Sequence, residues 1–431
     1  MMREYFSRPF SRISTIHCTI IKKPFILFKM PVFKNKKLLL GLGILILVLV
    51  GLYFLSPNSG NFSLNAVGPP PKDPQARVQW LSDNIDNMDH DKFIVLDETL
   101  PSWRELNKLY QSLETKQNYP EFIKAIQTYG TMANLVEVLY FGDVLKDLGV
   151  NTQFIHANHW FKNGQFELWY QGYKNPMNLN QDQSKRALVH NILLAKQLGL
   201  AVILFPDYYQ LEDGGMAKLN ISNDLEKRLE TIALDLAEIA EKYQVEYLVP
   251  SNQIEMIFES NGYSIKEAQT RTNAFYASVV PKIRAIYKGK ILYKMGGFNR
   301  WHNYDGISLE GADLFGFTGC YNTHRDDLTF MASDIKTAAA QANKLSKKYN
   351  IPWFHAEFVI SDEEIRSDRP SDRQISTDIP IEDYYQAGLA AFNQYGISNG
   401  ATGFTIHSLL GTGKVYDTPA FGLIKDFFAS H

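Results

Sequence analysis

The stretch YLVPSNQIE, residues 247–255, decides how this chain of 431 residues is interpreted. It begins as a short apolar strand, and its polar tip carries Asn252, Gln253 and Glu255. Further along, PWFHAE at 352–357 has the same form, an apolar strand that ends on a carboxylate. In a parallel sheet the carboxyl ends of the strands meet at one edge, so both strand ends would face the same cleft.

Short apolar strands alternate with amphipathic helices over most of the chain. Predicted helices show apolar residues at three- and four-residue spacing, and they lie at 181–198, 224–243, 264–287, 327–349 and 381–395. Predicted strands lie at 93–96, 152–157, 201–205, 247–250, 290–295, 314–318, 353–356 and 402–406. This alternation indicates the α/β class, and eight such strands predict a (β/α)8 TIM barrel rather than an open sheet.

Composition is that of an ordinary globular protein, with 45% hydrophobic and 21% charged residues. The 44 basic and 46 acidic residues give a formal charge of −2, so we expect no nucleic-acid partner, which usually requires a basic face. The sequence has no phosphate-binding glycine motif and no Cys/His cluster with zinc spacing. It therefore predicts no cofactor and no metal site.

The N-terminal region has a different character. Residues 38–55, LLLGLGILILVLVGLYFL, are 18 positions without a charge, and a helix of that length spans a bilayer's hydrocarbon core. Lysines directly precede this run, so the positive-inside rule predicts a cytoplasmic N-terminus and a barrel outside the cell membrane. A cleaved signal peptide is the alternative, although no small-residue cleavage site follows directly. Cys18 and Cys320 would lie on opposite sides of the bilayer, so we expect no disulfide between them.

Four segments are therefore predicted. They are a basic cytoplasmic tail at 1–37, a single-pass transmembrane anchor at 38–55, a linker at 56–92 and the barrel at 93–431. Met30 would also serve as a start, so residues 1–29 are either an unfolded tail or a mis-assigned beginning. Three consecutive prolines at 69–71 keep the linker extended as a spacer off the lipid bilayer.

In a (β/α)8 barrel the active site lies at the C-terminal ends of the strands, so the residues that follow each strand are the site candidates. Aromatic and histidine side chains are frequent there, and flat rings suit the faces of sugars. The candidate substrate-binding residues are Asn252, Gln253, Tyr321, His156, His159, Trp160, Asp207, Tyr208, Trp301, His324 and His407. The candidate catalytic residues are Glu357 and Glu255.

Several strand ends resemble those of the clan of (β/α)8 retaining glycoside hydrolases, which includes cellulase-like, β-mannanase-like and β-galactanase-like families. That clan has Asn-Glu at the end of its fourth strand and Glu at the end of its seventh. PWFHAEF at 352–358 is similar to the seventh strand, DLFGFTGCY at 313–321 to the sixth and GFTIH at 403–407 to the eighth. The resemblance covers about residue 93 to the C-terminus.

The resemblance implies roles for individual residues. Glu357 would be the nucleophile, Tyr321 would support it, and Asn252 would bind the sugar's 2-hydroxyl. The fourth strand departs from the clan, because Gln253 stands where the acid/base glutamate belongs. Glu255 has the same strand parity but lies about 6.6 Å further along an extended chain. It is expected to act as the acid/base only if the strand end bulges inward.

The implied function is that of a membrane-anchored glycoside hydrolase, which cleaves O-glycosidic bonds of a poly- or oligosaccharide outside the cytoplasmic membrane. A retaining double displacement needs two carboxyl groups about 5–5.5 Å apart, whereas an inverting mechanism tolerates a wider separation. Trp160, Tyr208 and Trp301 would stack on sugar rings. One alternative is a carbohydrate-binding barrel with impaired catalysis, which Gln253 favours. Another is a barrel enzyme of unrelated chemistry, since fold alone does not fix function.

Overall fold

The structure is a computed structural model. It describes residues 117–128, 131–162, 165–168, 180–209, 224–296, 306–322, 327–361, 379–407, 409 and 415–431, together with a few positions between 71 and 80. The strands are β1 (Ile123–Gln127), β2 (Thr152–Lys162), β3 (Gln165–Leu168), β4 (Ala201–Tyr209), β5 (Tyr247–Leu248), β6 (Lys290–Met295), β7 (Leu314–Asn322), β8 (Trp353–Ser361) and β9 (Ala401–His407).

Helices alternate with these strands and cover the outside of the sheet. They are α1 (Thr131–Leu148), α2 (Gln181–Gln197), α3 (Leu225–Lys242), α4 (Ile254–Ser260), α5 (Ile265–Ile286), α6 (Leu328–Tyr349), α7 (Ile381–Ala391) and α8 (Ala420–Ala429). A π-helical turn (Phe392–Gly396) and a 3-10 turn (Ile397–Asn399) link α7 to β9.

Parallel pairing closes the sheet into a barrel. β1 pairs with β9 on one side and with β2 on the other, and the intervening strands follow in chain order. β3 folds back antiparallel on the end of β2 as a short hairpin, outside the eight barrel strands. The predicted (β/α)8 barrel is therefore confirmed.

The position of the first strand is corrected. The predicted strand at 93–96 lies outside the described residues, and the barrel closes through Ile123–Gln127 instead. The segment IKAIQ has only five residues and includes Lys124 and Gln127, so its apolar pattern is too short to stand out. β5 is shorter than predicted, whereas β2, β4, β7 and β8 continue into the polar residues that follow their apolar runs.

Side chains that alternate along the strands divide into two cores. The smaller core fills the barrel interior with Ile123, Ala125, Phe154, Ala201, Ile203, Phe205, Tyr247, Val249, Leu292, Leu314, Phe354 and Ala356. The larger core lies between the strands and the helices, where α3, for example, buries Leu229 and Leu236. Inward-facing positions further along each strand line the barrel mouth, so strand parity decides which polar residues reach it.

β8 carries a one-residue bulge at Ala356. Its neighbours on either side pair with successive residues of β7, so Ala356 itself has no partner in that register. Phe354 and Ala356 both face the interior, and regular alternation would turn Glu357 outward. The extra residue turns Glu357 inward instead. Gly316 leaves room for the bulge, because a Cβ there would lie 2.6 Å from the Cβ of Ala356.

The predicted cytoplasmic tail, membrane anchor and most of the linker lie outside the described residues, and so do Trp301 and His324. Among the helices that the structure describes, none has the length and apolar character needed to cross a membrane.

Candidate active site

Glu357 lies at the mouth of the barrel and is 1% exposed. Its Oε2 accepts hydrogen bonds from Lys294 Nζ at 2.5 Å and from Thr318 Oγ1 at 3.3 Å. Lys294 projects inward from β6 and is fully buried. The two buried charges therefore compensate each other, and the cation favours the ionised form of the carboxylate.

Lys294 and Thr318 were not among the residues predicted from the sequence. A signal was present for Lys294, because it shares its strand face with Leu292 within the largely apolar run 291–295 of β6. A lysine at an inward position of a barrel strand must find a partner, since an unpaired buried cation is costly. Thr318 offers no such signal, because threonine is common in strands.

A chain of hydrogen bonds extends from this pair across the mouth. Lys294 Nζ also donates to Asn252 Oδ1 at 3.2 Å, and Asn252 Nδ2 donates to Asp207 Oδ1 at 2.8 Å. Asp207 Oδ2 lies 2.8 Å from His156 Nδ1. All of these side chains are at least 95% buried, so each bond is stronger than it would be in water. The network joins the strands β8, β6, β4 and β2 with the loop after β5.

Gln253 stands beside Glu357. Its backbone N–H donates to Lys294 O at 3.1 Å, and its Nε2 donates to Thr318 Oγ1 at 2.9 Å. The Thr318 hydroxyl therefore bridges the amide of Gln253 and the carboxylate of Glu357. Gln253 has φ of 47°, and a left-handed conformation costs a non-glycine residue on the order of 1–3 kcal/mol. The surrounding hydrogen bonds hold Gln253 in this position, next to the carboxylate of Glu357.

Glu255 is bonded to the end of β6. The helix α4 begins directly after Gln253, so strand parity no longer applies, and two helical residues differ by about 200° in direction. Glu255 Oε1 accepts a hydrogen bond from the backbone N–H of Gly296 at 2.6 Å, at the end of β6. Burial raises the pKa of Tyr276 well above its ordinary value, and the nearby charge of Glu255 raises it further. The expectation of an extended strand end that brings Glu255 inward is therefore corrected.

Tyr321 faces the helix layer rather than the mouth. Its hydroxyl donates to Asp334 Oδ2 on α6 at 3.0 Å, and its ring packs on Phe358. Both rings belong to the core between strands and helices. The expected support of Glu357 by Tyr321 is corrected accordingly, because the hydroxyl that donates to Glu357 in the barrel interior belongs to Thr318.

His159 and Tyr208 also face outward, so their expected contact with substrate is corrected. They pair with each other across β2 and β4. Each directly follows an inward-facing residue of its strand, so alternation along the strand turns it to the outer face. His159 Nδ1 bonds Ala157 O at 2.7 Å, and Tyr208 Oη lies 3.2 Å from Ser251 Oγ. Burial lowers the pKa of His159 to about 4, so this histidine is neutral at pH 7.

Further inward positions line the mouth. His407 ends β9 and is buried beside Gln127 of β1, while Trp160 lies at the end of β2 and is partly exposed. Asn158 is fully buried, and neither atom of its amide has a hydrogen-bond partner within the described part of the chain. Unpaired buried amides suit a polar ligand with many hydroxyls. No group of three or more potential metal ligands occurs among the residues that the structure describes.

Comparison with known proteins gives a likeness in fold. No protein-family model matches the sequence, and no curated protein matches it. A GH113 β-1,4-mannanase structure is 16% identical with a TM-score of 0.52, covering 72% of this chain and 100% of its own. A GH113 β-mannanase from Alicyclobacillus acidocaldarius, in complex with ManMIm, is 14% identical with a TM-score of 0.52, covering 73% of this chain and 99% of its own.

An endo-β-1,4-mannanase from Thermotoga petrophila is 11% identical with a TM-score of 0.50, covering 73% of this chain and 77% of its own. At these identities the likeness concerns the fold. The resemblance to the (β/α)8 glycoside hydrolase clan is confirmed at that level.

Proposed function

We propose that this chain is a glycoside hydrolase in which Glu357 attacks the anomeric carbon of a glycan. One observation carries the proposal: a buried carboxylate held by Lys294 and Thr318 at the mouth of a barrel with the fold of β-mannanases. A carboxylate nucleophile must be ionised, and a contacting cation favours that form. The bulge at Ala356 turns this carboxylate inward.

The sugar would lie over the polar network of the mouth. Asn252 and Asp207 offer donors and acceptors for ring hydroxyls, and the amide of Asn158, which has no partner among the described residues, offers both. Trp160 at the rim would stack on a neighbouring sugar ring. The β-mannanase structures make a β-mannoside the first substrate to examine, and a poly- or oligosaccharide is the expected source.

In the first step an oxygen of Glu357 forms a bond to the anomeric carbon as the bond to the leaving oxygen breaks. In the second step water attacks the same carbon and Glu357 leaves as a carboxylate, so the configuration is retained. Lys294 would contribute most in the second step, because its charge stabilises the carboxylate that is released. Asn252 would position the 2-hydroxyl beside the reacting carbon.

Covalent trapping tests the proposal. The full-length chain would be incubated with 2,4-dinitrophenyl 2-deoxy-2-fluoro-β-mannoside and with the corresponding β-glucoside and β-galactoside. We expect one glycosyl adduct, which peptide mass spectrometry locates on Glu357. The variant Glu357→Gln should give no adduct, whereas Glu310→Gln at an exposed position should react as wild type does. Absence of an adduct with all three sugars would contradict the proposal.

Gln253 favours a second candidate function, that of a carbohydrate-binding barrel with impaired catalysis. An amide at the acid/base position leaves glycan binding intact but removes the proton donor. Calorimetric binding of oligosaccharides by wild type, together with no adduct and no turnover, would identify this function. A gain of turnover in Gln253→Glu would show that the rest of the machinery is present.

The membrane anchor belongs to the proposal as well. The charge-free run at 38–55 and the lysines before it support a single span with the barrel outside the cytoplasmic membrane. Polymers and surface glycans are the carbohydrates found there. Carbonate extraction of membranes would test the anchor, and protease access in intact cells would test the side on which the barrel lies. Release of the protein into the soluble fraction during carbonate extraction would contradict the proposed membrane anchor.

A further inference from the structure

We infer that this enzyme acts on glycosides whose leaving group departs as a stable anion, without a proton from any carboxyl group in the described part of the barrel mouth. The inference rests on the proposed function, because it takes Glu357 as the nucleophile. The juxtaposition that carries it is Gln253 held beside Glu357, where a retaining enzyme requires a proton donor. An amide N–H donates a hydrogen bond but does not give up its proton.

Gln253 is fixed in this position. It is 8% exposed, and its backbone and side chain bond to Lys294 O and to Thr318 Oγ1. Its carbonyl oxygen also accepts a hydrogen bond from the backbone N–H of Met256 at 2.9 Å, in the first turn of α4. Because three separate contacts hold this residue, moving it aside for another group would break all of them.

The neighbouring carboxyl groups are already engaged as acceptors. Asp207 accepts a hydrogen bond from Asn252 and pairs with the ring of His156. Glu255 accepts from the backbone N–H of Gly296. Both carboxyl groups are therefore occupied by partners within the protein. The described mouth therefore offers a nucleophile and sugar-binding groups beside an amide at the position of the acid.

A general acid contributes about 10²- to 10⁴-fold to the rate. Without it, the leaving oxygen takes the electron pair of the broken bond and departs as an anion. A sugar alkoxide is a poor leaving group, whereas phenolates, carboxylates and phosphates leave readily. In the second step water forms the new bond to the anomeric carbon, Glu357 is released, and the proton of water passes to solvent. The products are the free sugar, the anion and one proton.

Only one kind of glycosidic bond would then be cut. The glycosyl unit in the mouth can still belong to an oligosaccharide. The scissile bond would be the one that joins its reducing end to an acidic group, rather than a bond between two sugars.

The leaving-group dependence of wild type tests this directly and requires no variant. The full-length chain would be assayed with aryl β-glycosides of graded phenol acidity, with the glycosyl phosphate, and with a disaccharide of the same sugar. We expect kcat/KM to rise steeply with phenol acidity and to be at least about 10²-fold lower for the disaccharide. Comparison of the aryl and phosphate arms distinguishes an aromatic from a phosphate leaving group.

The variant Gln253→Glu tests the residue. It should raise the rate on the disaccharide by about 10²- to 10⁴-fold and flatten the dependence on phenol acidity. Gln386→Glu adds the same charge at an exposed position of α7 and serves as the matched control, with a dependence as steep as that of wild type.

Three outcomes would overturn the inference. A flat dependence in wild type that becomes steep in Glu255→Gln would identify Glu255 as the proton donor, while labelling of Glu357 would leave the proposed function intact. A steep dependence that Gln253→Glu does not change would show that Gln253 is not its cause. No turnover of any substrate, including the dinitrophenyl glycoside, would overturn the proposed function together with the inference.

Discussion

Two lysine–glutamate pairs lie at opposite ends of the barrel, and in both the glutamate is buried. Lys196 and Glu246 meet at the N-terminal end of β5, and Lys294 and Glu357 meet at the mouth, with an Nζ–Oε distance of 2.5 Å in each pair. Glu246 also accepts hydrogen bonds from the backbone N–H groups of Asn118 and Val202. The described donors to Glu357 are the side chains of Lys294 and Thr318 instead.

The difference shows how one pair of residue types serves two purposes. Backbone donors fix Glu246 to the chain that it holds, as expected at the end of a (β/α)8 barrel that supports stability. The donors to Glu357 are side chains, and a bound substrate can compete with them or displace them. We therefore expect changes at the Lys196–Glu246 pair to affect unfolding and changes at the Lys294–Glu357 pair to affect chemistry.

The largest effect is expected for Glu357→Gln. Loss of the proposed nucleophile should lower kcat/KM on a dinitrophenyl glycoside by roughly 10⁴-fold or more, because the amide cannot form the glycosyl intermediate. The measurement is steady-state turnover, with circular dichroism to verify the fold. Turnover within tenfold of wild type would exclude Glu357 as the nucleophile.

Removal of the other carboxylate should act on stability. Glu246→Ala leaves Lys196 and two backbone N–H groups without their acceptor, which should cost about 3–5 kcal/mol of unfolding free energy. Urea denaturation followed by circular dichroism would measure this cost. The kcat/KM of the folded variant should match that of wild type, and a selective loss of activity would contradict the assignment of this pair to stability.

Removal of the cation at the mouth should change the pH profile. Without Lys294, Glu357 loses the charge that favours its ionised form, so Lys294→Met should move the acid limb of kcat/KM toward higher pH. Lys294→Arg should keep the limb near its wild-type position, and Lys196→Met should not move it. An unchanged limb in Lys294→Met would show that the cation has only a structural role.

The outer face of β8 permits a smaller test. Burial lowers the pKa of His355 to about 3, and neither ring nitrogen has a partner among the described residues. Its folded pKa lies below the unfolded value of about 6.5, so this histidine costs stability as pH falls below 6.5. The cost is about 1.4 kcal/mol per pH unit. His355→Leu should therefore gain stability relative to wild type as the pH falls from 6.5 to 4, measured by urea unfolding. A difference in unfolding free energy between the two proteins that does not change with pH would contradict this.

The sequence predicted the barrel because seven of its eight strands carry apolar runs between amphipathic helices. It missed β1, whose five residues include two polar ones. The site was harder to predict. The alternation of side chains was assumed to continue beyond the end of β5, where the chain no longer has strand geometry. Glu255 was expected inward on that basis, but the helix start after Gln253 redirects it. Lys294 was missed although its inward position in an apolar strand was visible.

Tyr321 illustrates a limit of motif resemblance. The motif placed it one strand away from Glu357, as it does in the clan, yet its side chain lies on the outer face and bonds Asp334. Position along the strand was predicted well, but regular alternation already places Tyr321 on the outer face of β7 with Phe315 and Phe317. The direction of Glu357 depends instead on the bulge in β8, which rests on the close contact between Gly316 and Ala356 that no linear pattern records.

The bulge at Ala356 makes the direction of Glu357 depend on how β8 pairs with β7. Deletion of Ala356 would leave Glu357 opposite Thr318 and therefore inward, because the bulged residue is the one without a partner. Loss of the bulge with Ala356 retained, so that Ala356 paired with Thr318, would instead exchange the two faces of everything beyond it. The carboxylate of Glu357 would then enter the apolar layer under α7, and the ring of Phe358 would turn into the mouth. A segment of β8 transplanted to another barrel would therefore present Glu357 inward only where the neighbouring strand leaves room for the bulge, as Gly316 does here.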